Sequence, residues 1–206
     1  MATRNNNTNA TGGAADWPLS AADHSIGDNE AQVLIAAHSP AGLGGYFTPA
    51  TINSLITPAN AGIRYYFTIH NGALTVMLVG VQRVSSGVYN DIVTGVLAVS
   101  DNLTVVHPST NQRISLNDAE TCNRDYRNST DYDDGVKGGM FGIDAINSII
   151  ALPNYAGIRF YFGNTGTQKT IVLYGVDGSG HNLLGYIADR NCPCPTFCSN
   201  NNQLNT

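Results

Sequence analysis

The segment GGYFTPATINSLI at residues 44–56 returns as GGMFGIDAINSII at residues 138–150. Two more pairs of segments follow in the same order: GIRYYF at 62–67 with GIRFYF at 157–162, and TVMLVGV at 75–81 with TIVLYGV at 170–176. The offset between the copies is 94 residues for the first pair and 95 for the other two. Matches that keep their order and offset indicate an internal repeat, so the sequence predicts one structural unit built twice.

The first helix of each copy is predicted from a capping pattern. A serine followed three residues later by an acid is typical of a reciprocal N-cap, and the pattern occurs at Ser25 with Asp28 and at Ser115 with Asp118. A glycine-rich connection that ends in Gly-Gly leads from this helix to the next element in each copy.

A short second helix and three strands are predicted to follow in each copy. The second helix is expected at residues 49–56 and 144–152, and Pro58 and Pro153 then end it. The strands are expected at residues 63–69, 74–81 and 92–99 in the first copy, and at 158–163, 170–176 and 183–188 in the second.

Side-chain alternation divides the first strand of each copy into two faces. Ile63, Tyr65 and Phe67 share one face, and Arg64 and Tyr66 share the other. The return strands are apolar on both faces, which indicates that each sheet is covered on both sides. The cover beyond the helices is either the sister unit or another copy of the protein. The predicted fold class is α+β, with two tandem α-α-β-β-β repeat units and antiparallel sheets.

Composition changes along the chain divide it into four parts. An Asn-rich N-terminal arm is expected at residues 1–22, the first repeat unit at 23–108 and the second at 109–191. A Cys/Pro- and Asn-rich arm is expected at 192–206.

The surface is predicted to be polar but poor in charge. Charged residues are only 12% of the 206 residues, and the net charge is −5. A nucleic-acid partner needs a basic footprint, so that class is excluded, and no apolar run is long enough to predict a membrane span. The N-terminal sequence has no apolar stretch typical of a classical signal peptide, so we expect a cytoplasmic protein or one exported by a non-classical route.

The combination of GG-x-F, a short helix, GIR-x-YF, a hairpin into LxGV and a C-terminal CPCPxxxC resembles a group of one- and two-unit proteins associated with Bacteroidota. GIR-x-YF is the most specific part of this resemblance, which extends over most of the chain. The group has no assigned activity, so the resemblance implies no functional residue. The first copy of the repeat lacks the cysteine tail, which is therefore not needed to fold a unit.

The four cysteines are candidates for a disulfide or a metal site: Cys122, Cys192, Cys194 and Cys198. A disulfide between Cys122 and one tail cysteine would tie the C-terminal arm to the second unit and indicate an oxidising compartment. Four thiolates would suit zinc, although the CPCPTFC spacing is not the usual C-x-x-C pair. Inert thiols are the third alternative.

The acidic run at residues 131–135 is a weak candidate for a calcium site. Asp131, Asp133 and Asp134 would supply the carboxylates that calcium prefers. The run lacks the ligand spacing and the final Glu of an EF-hand loop, which favours a solvated acidic linker. We therefore expect no cofactor, with zinc and calcium as open alternatives.

An Arg-x-Tyr pair recurs in both copies, as Arg64 with Tyr66 and Arg159 with Tyr161. An arginine among apolar neighbours can hold a carboxylate, including one from a neighbouring subunit, and such residues are typical of interface centres. A structural arginine that stacks on tyrosine and bonds to carbonyls of its own unit is the favoured interpretation.

The sequence favours a structural, self-assembling protein, the subunit of a filament, sheath or lattice whose partner is another copy of itself. The duplicated unit, the uncharged surface and the two-faced apolar strands are the reasons. The alternative is an exported or surface-attached module that binds a glycan or a peptide. An enzyme is the third hypothesis, since the sequence contains no recognisable catalytic motif.

Overall fold

The computed structural model describes residues 20–85, 88–95, 97–100, 113–189, 192–194 and 203–204. The helices in this part of the chain are α1 (Ala21–His24), α2 (Asp28–Ala36), α3 (Pro49–Leu55), α4 (Leu116–Arg127) and α5 (Ile143–Ile150). The strands are β1 (Ser25–Ile26), β2 (Gly44–Phe47), β3 (Asn60–His70), β4 (Ala73–Ser85), β5 (Val88–Asp91), β6 (Leu97–Val99), β7 (Arg113–Ile114), β8 (Gly138–Gly142), β9 (Gly157–Asn164), β10 (Lys169–Val176), β11 (Asn182–Ala188) and β12 (Cys192–Cys194).

These strands form two antiparallel sheets. The first, sheet A, has the order β1-β11-β10-β9-β2. The second, sheet B, has the order β12-β8-β3-β4-β6-β7, with β5 also paired to β4. The predicted α+β class with antiparallel sheets is confirmed.

Each sheet takes strands from both copies of the sequence repeat. Strand β2, the GGYF of the first copy, pairs with β9 of the second copy, and β8, the GGMF of the second copy, pairs with β3 of the first. The two registers match, because Gly44 lies opposite Tyr161 and Gly138 lies opposite Tyr66. The predicted unit boundaries at 23–108 and 109–191 therefore cut through both sheets.

The Gly-Gly segments are strands rather than the connections expected from the sequence. A Cβ atom added to Gly44 would lie 1.9 Å from the carbonyl oxygen of Phe160, and one added to Gly138 would lie 2.0 Å from that of Tyr65. Real Cβ atoms do not approach backbone so closely, so both positions require glycine.

The inner faces of the two sheets pack against each other in one shared core. Phe67 of β3 and Phe162 of β9 meet there with their ring centroids 6.1 Å apart. The sister sheet is thus the second cover that the apolar strands indicated. A cavity of about 10 Å³ in this core is lined by matching residues of both copies, such as Phe47 with Phe141 and Leu78 with Leu173. It is no larger than one water molecule needs, so this cavity cannot hold a ligand.

The outer faces are covered by helices. Helix α2 packs Ala31, Leu34 and Ile35 onto sheet A, and α4 lies over sheet B with its buried Ala119. Leu204 of the C-terminal arm is buried on sheet B beside α4. Within one chain, helices therefore cover part of each outer face and the opposite sheet covers each inner face, so the apolar strand faces do not by themselves require a second copy of the protein.

The capping prediction is right for one helix and wrong for the other. The side chain of Ser115 caps α4 and accepts a hydrogen bond from the Asp118 amide at 3.2 Å. Ser25 lies in β1, and α2 begins after Gly27 instead. Gly27 is thus the structural counterpart of Ser115. The offset between these two N-cap residues is two residues shorter than the offset between Ser25 and Ser115, which the sequence pattern had paired.

The remaining predicted elements are present, with one exception. The third strand of the second copy is continuous as β11, whereas that of the first copy is split into β5 and β6. No helix among the described residues is both long and apolar enough to cross a membrane.

Candidate functional site

The first Arg-x-Tyr pair forms a buried cluster on the outer face of sheet B. Arg64 is 1% exposed and makes an ion pair with the fully buried carboxylate of Asp91. Tyr66 donates to the other oxygen of that carboxylate at 2.6 Å, and Arg64 Nη2 donates to the carbonyl of Tyr89 at 3.3 Å. Burial, followed by the charge of Asp91, raises the pKa of Tyr66 well above its usual value, so its hydroxyl stays protonated.

The second Arg-x-Tyr pair lies at the matching place on sheet A, but it is partly exposed to solvent. Arg159 Nη1 donates to the carbonyl of Gly180 at 2.9 Å and to Asn182 Oδ1 at 3.0 Å. Asn182 Nδ2 donates in turn to the hydroxyl of Tyr161 at 3.1 Å. Arg159 and Tyr161 both retain solvent contact on the outer side of β9.

The two clusters therefore have different roles. Arg64 and Tyr66, both 1% exposed, are structural and do not reach a partner or ligand at the surface. Arg159 and Tyr161 hold carbonyl and amide groups of their own chain, as the structural interpretation expects, but they also face solvent. Of the four predicted interface or ligand candidates, only Arg159 and Tyr161 reach the protein surface.

Aromatic side chains surround Arg159. Its cross-strand neighbours are Tyr46 on β2 and Tyr174 on β10. Tyr174 packs edge-on against Tyr161, with ring centroids 5.7 Å apart, and donates a hydrogen bond to Asp28 at 3.0 Å. Tyr46 donates to the carbonyl of Ala156. Tyr46 and Tyr174 are themselves buried, so the surface presents the Arg159 guanidinium, the Tyr161 ring and the Asn182 amide on a rigid aromatic support, which suits recognition of a polar ligand.

The acidic run is used to anchor a hairpin. Asp133 forms an ion pair with Lys169, which lowers the pKa of the carboxyl, and Asp134 accepts hydrogen bonds from the backbone amides of Val136 and Lys169. Asp131 donates its amide to Ser129 at 3.2 Å. Among the described residues, no three His, Cys, Asp or Glu side chains are grouped so that they could hold a metal ion, which gives the calcium hypothesis no support.

The cysteines correct the predicted pairing. Cys122 is a free thiol on the buried face of α4, so a disulfide from Cys122 to the tail is wrong. Cys194, in β12, takes part in a disulfide and is therefore not available as a thiolate for a four-cysteine zinc site. The side chains of Cys192 and Cys198 lie outside the described residues.

Cys122 has a histidine neighbour that the sequence did not indicate. Its Sγ lies 3.5 Å from Nδ1 of His70 at the end of β3. Burial, together with the charges of Asp125 and Asp118, raises the pKa of the Cys122 thiol. A thiol with a raised pKa stays protonated at neutral pH and is a poor nucleophile or metal ligand.

Asp91 and Asn182, the residues that distinguish the two clusters, were not identified from the sequence. The two residues follow the return strands at different separations along the chain. Asp91 lies on the separate strand β5, and Asn182 lies at the start of β11. Only the strand register shows that they are counterparts.

No family model, no curated protein and no solved structure matches this chain.

Proposed function

We propose that the protein is a non-enzymatic binding module whose ligand site is the outer face of sheet A around Arg159, Tyr161 and Asn182. The observation that carries this proposal is that the second Arg-x-Tyr cluster is partly exposed to solvent, whereas the first is buried. Arginine stays protonated at all relevant pH values, and an amide does not titrate. These groups suit binding better than proton transfer.

The ligand classes that fit this surface are the peptide and the glycan anticipated from the sequence. Both present planar or ring-shaped polar groups that tyrosine rings and a guanidinium can contact. A ligand of this size can lie across Tyr161 while its polar groups reach Arg159.

The test is binding of labelled protein to an array of peptides and glycans. Wild-type protein should retain a defined set of ligands, and Arg159→Gln should weaken that binding by about tenfold, since charge-assisted hydrogen bonds contribute about 1.5–3 kcal/mol each. The matched control is Arg124→Gln, which removes the same charge from an exposed position on α4. An array without a retained ligand, or equal binding by the Arg159 variant, would contradict the proposal.

Self-association is a second candidate function, and the pairing of β2 with β9 and of β8 with β3 favours it. Because β2 and β8 complete sheets formed by distant parts of the chain, two chains can make the same pairings between them with little change in contacts. Light scattering over a concentration series separates the candidates. A particle of 21.8 kDa at every concentration supports the binding module, and growing ordered particles support a filament, sheath or lattice.

We further propose that the fold is a duplicated α-α-β-β-β unit whose copies have exchanged their N-terminal parts. Support comes from the matching sheet orders, since β1, β11, β10, β9 and β2 of sheet A correspond to β7, β6, β4, β3 and β8 of sheet B. The first helices follow the same exchange, because α2 packs on the second copy's strands and α4 on those of the first. The predicted N-terminal arm lies mostly outside the described residues.

A further inference from the structure

The strand register identifies Asn182 as the counterpart of Asp91. The matching segments of the two return strands end at Val81 and at Val176. Val81 lies opposite Asp91 on β5, and Val176 lies opposite Asn182 on β11. Each of these residues contacts the arginine and the tyrosine of its own cluster. One position of the fold therefore carries a carboxylate in one sheet and a neutral amide in the other.

The buried cluster shows how this pair of side chains holds a carboxylate. One oxygen of Asp91 accepts from Arg64, and the other accepts from Tyr66 at 2.6 Å. A carboxylate suits the arrangement because its two oxygens are coplanar and spaced to bridge a guanidinium and a hydroxyl.

The open cluster has the same donors, but among the described residues no carboxylate is bonded to Arg159 or Tyr161, and the nearby Asp28 is bonded to Tyr174 instead. The acceptors of Arg159 are a backbone carbonyl and an amide oxygen, both neutral, and both bind Nη1. Its Nε and Nη2 donors have no acceptor within the described ranges of the chain. A half-buried cation without a counter-charge attracts an anion, because its solvation by water is incomplete.

We propose that Arg159 and Tyr161 bind the carboxylate of an aspartate or glutamate side chain in a peptide ligand. This inference rests on the proposed binding function and specifies the group that the site recognises. A peptide is favoured over an acidic sugar because the carboxylate in the sister cluster is itself an aspartate side chain.

The experiment is an NMR titration of protein labelled with 15N in its arginine side chains. The probe is the peptide acetyl-Gly-Glu-Gly-amide, and its glutamine analogue is the neutral control, both at constant ionic strength. The Arg159 Nε–H resonance, assigned with Arg159→Lys, should shift saturably with the glutamate peptide and not with the glutamine peptide. No shift at Arg159, or equal shifts with both peptides, would overturn the proposal.

The variant Asn182→Asp tests the site independently. It places a tethered carboxylate where Asp91 lies in the other sheet, so it should occupy Arg159 and weaken peptide binding about tenfold or more. Val84→Asp adds the same charge at an exposed position of β4 and should leave binding unchanged. Thermal unfolding of Asn182→Asp confirms that the variant is folded, and undiminished binding by the folded variant would overturn the proposal.

Failure of this inference is distinguishable from failure of the proposed function. If the peptide and glycan array yields a ligand that needs Arg159 but has no carboxylate, the binding module stands and the carboxylate inference is wrong. A uronate-bearing glycan among the retained ligands, without any acidic peptide, overturns the assignment to a peptide. An array and a titration that both show no binding overturn the inference and the function together.

Discussion

Asp91→Asn should lower the free energy of unfolding by about 3–5 kcal/mol, the cost of breaking one side of a buried ion pair. The substitution keeps the shape of the side chain but leaves the guanidinium of Arg64, 1% exposed, without its buried counter-charge. It also removes the acceptor charge that the hydroxyl of Tyr66 faces at 2.6 Å. The measurement is urea or guanidinium unfolding followed by tyrosine fluorescence and circular dichroism.

The matched control for this variant is Asp125→Asn on the exposed side of α4. The chemical change is the same, but the carboxylate lies in water, so the expected loss is within about 0.5 kcal/mol. If Asp91→Asn costs no more than this control, Arg64 is not held by a buried carboxylate. The comparison of the two clusters would then lose its basis.

Gly138→Ala and Gly44→Ala should each destabilise the protein by about 3 kcal/mol or more, beyond the usual range for overpacking. In each variant the new methyl group would lie about 2 Å from a carbonyl oxygen of the partner strand, that of Tyr65 or Phe160. Backbone cannot move aside as a flexible side chain does, so β2 or β8 must separate from its partner strand. Denaturant unfolding measures the loss.

Gly178→Ala is the control for both glycine variants. A Cβ atom at Gly178 meets nothing within 4 Å, so the stability should change by no more than about 0.5 kcal/mol. Because Gly44 and Gly138 occupy the same place in the two sheets, their losses should be similar. A tolerated alanine at both positions would contradict the pairing of β2 with β9 and of β8 with β3.

Much of the architecture follows from local sequence patterns. The two-residue alternation along β3 assigns its inner and outer faces correctly. Ile63, Tyr65 and Phe67 lie in the core between the sheets, and Tyr66 lies in the cluster on the outer face, as side chains that alternate along a strand should. The proline at the start of α3 and the serine cap of α4 also act locally, and both lie where the sequence places them.

The pairing of β2 with β9 and of β8 with β3 could not be predicted from these patterns. The sequence predicts connections at Gly44 and Gly138 because glycine is depleted in strands. Glycine is needed at both positions because the backbone there contacts residues that are distant in the chain. The choice of partner strand is likewise decided by tertiary packing, since β3 and β9 carry nearly the same sequence.

The difference between the two Arg-x-Tyr clusters could not be predicted from the sequence either. The Arg-x-Tyr pairs are identical in both copies, and only their neighbours Asp91 and Asn182 differ in charge. The insertion that splits the third strand of the first copy into β5 and β6 disturbs the offset and hides the correspondence. The cysteine prediction failed for a related reason, because spacing in sequence does not show that Cys122 lies beside His70.

Helices and the opposite sheet cover much of each sheet, which bears on the prediction of self-assembly. Large apolar side chains that remain exposed among the described residues are Val33, Val84 and Leu184, one each on α2, β4 and β11. They do not form the continuous apolar strand face expected of a subunit that needs a like neighbour. The uncharged surface stays compatible with assembly, but the most specific chemistry lies at Arg159.

One arginine position of the repeat is buried with a carboxylate, and the other is open to solvent. Solvent exchange of the arginine side-chain protons, measured by NMR on the unliganded protein, tests this directly. The Nε–H of Arg64, assigned through its contacts with Met140, should exchange slowly and persist as the pH is raised, while that of Arg159 should exchange quickly. Equal and strong protection of both arginines would contradict the account.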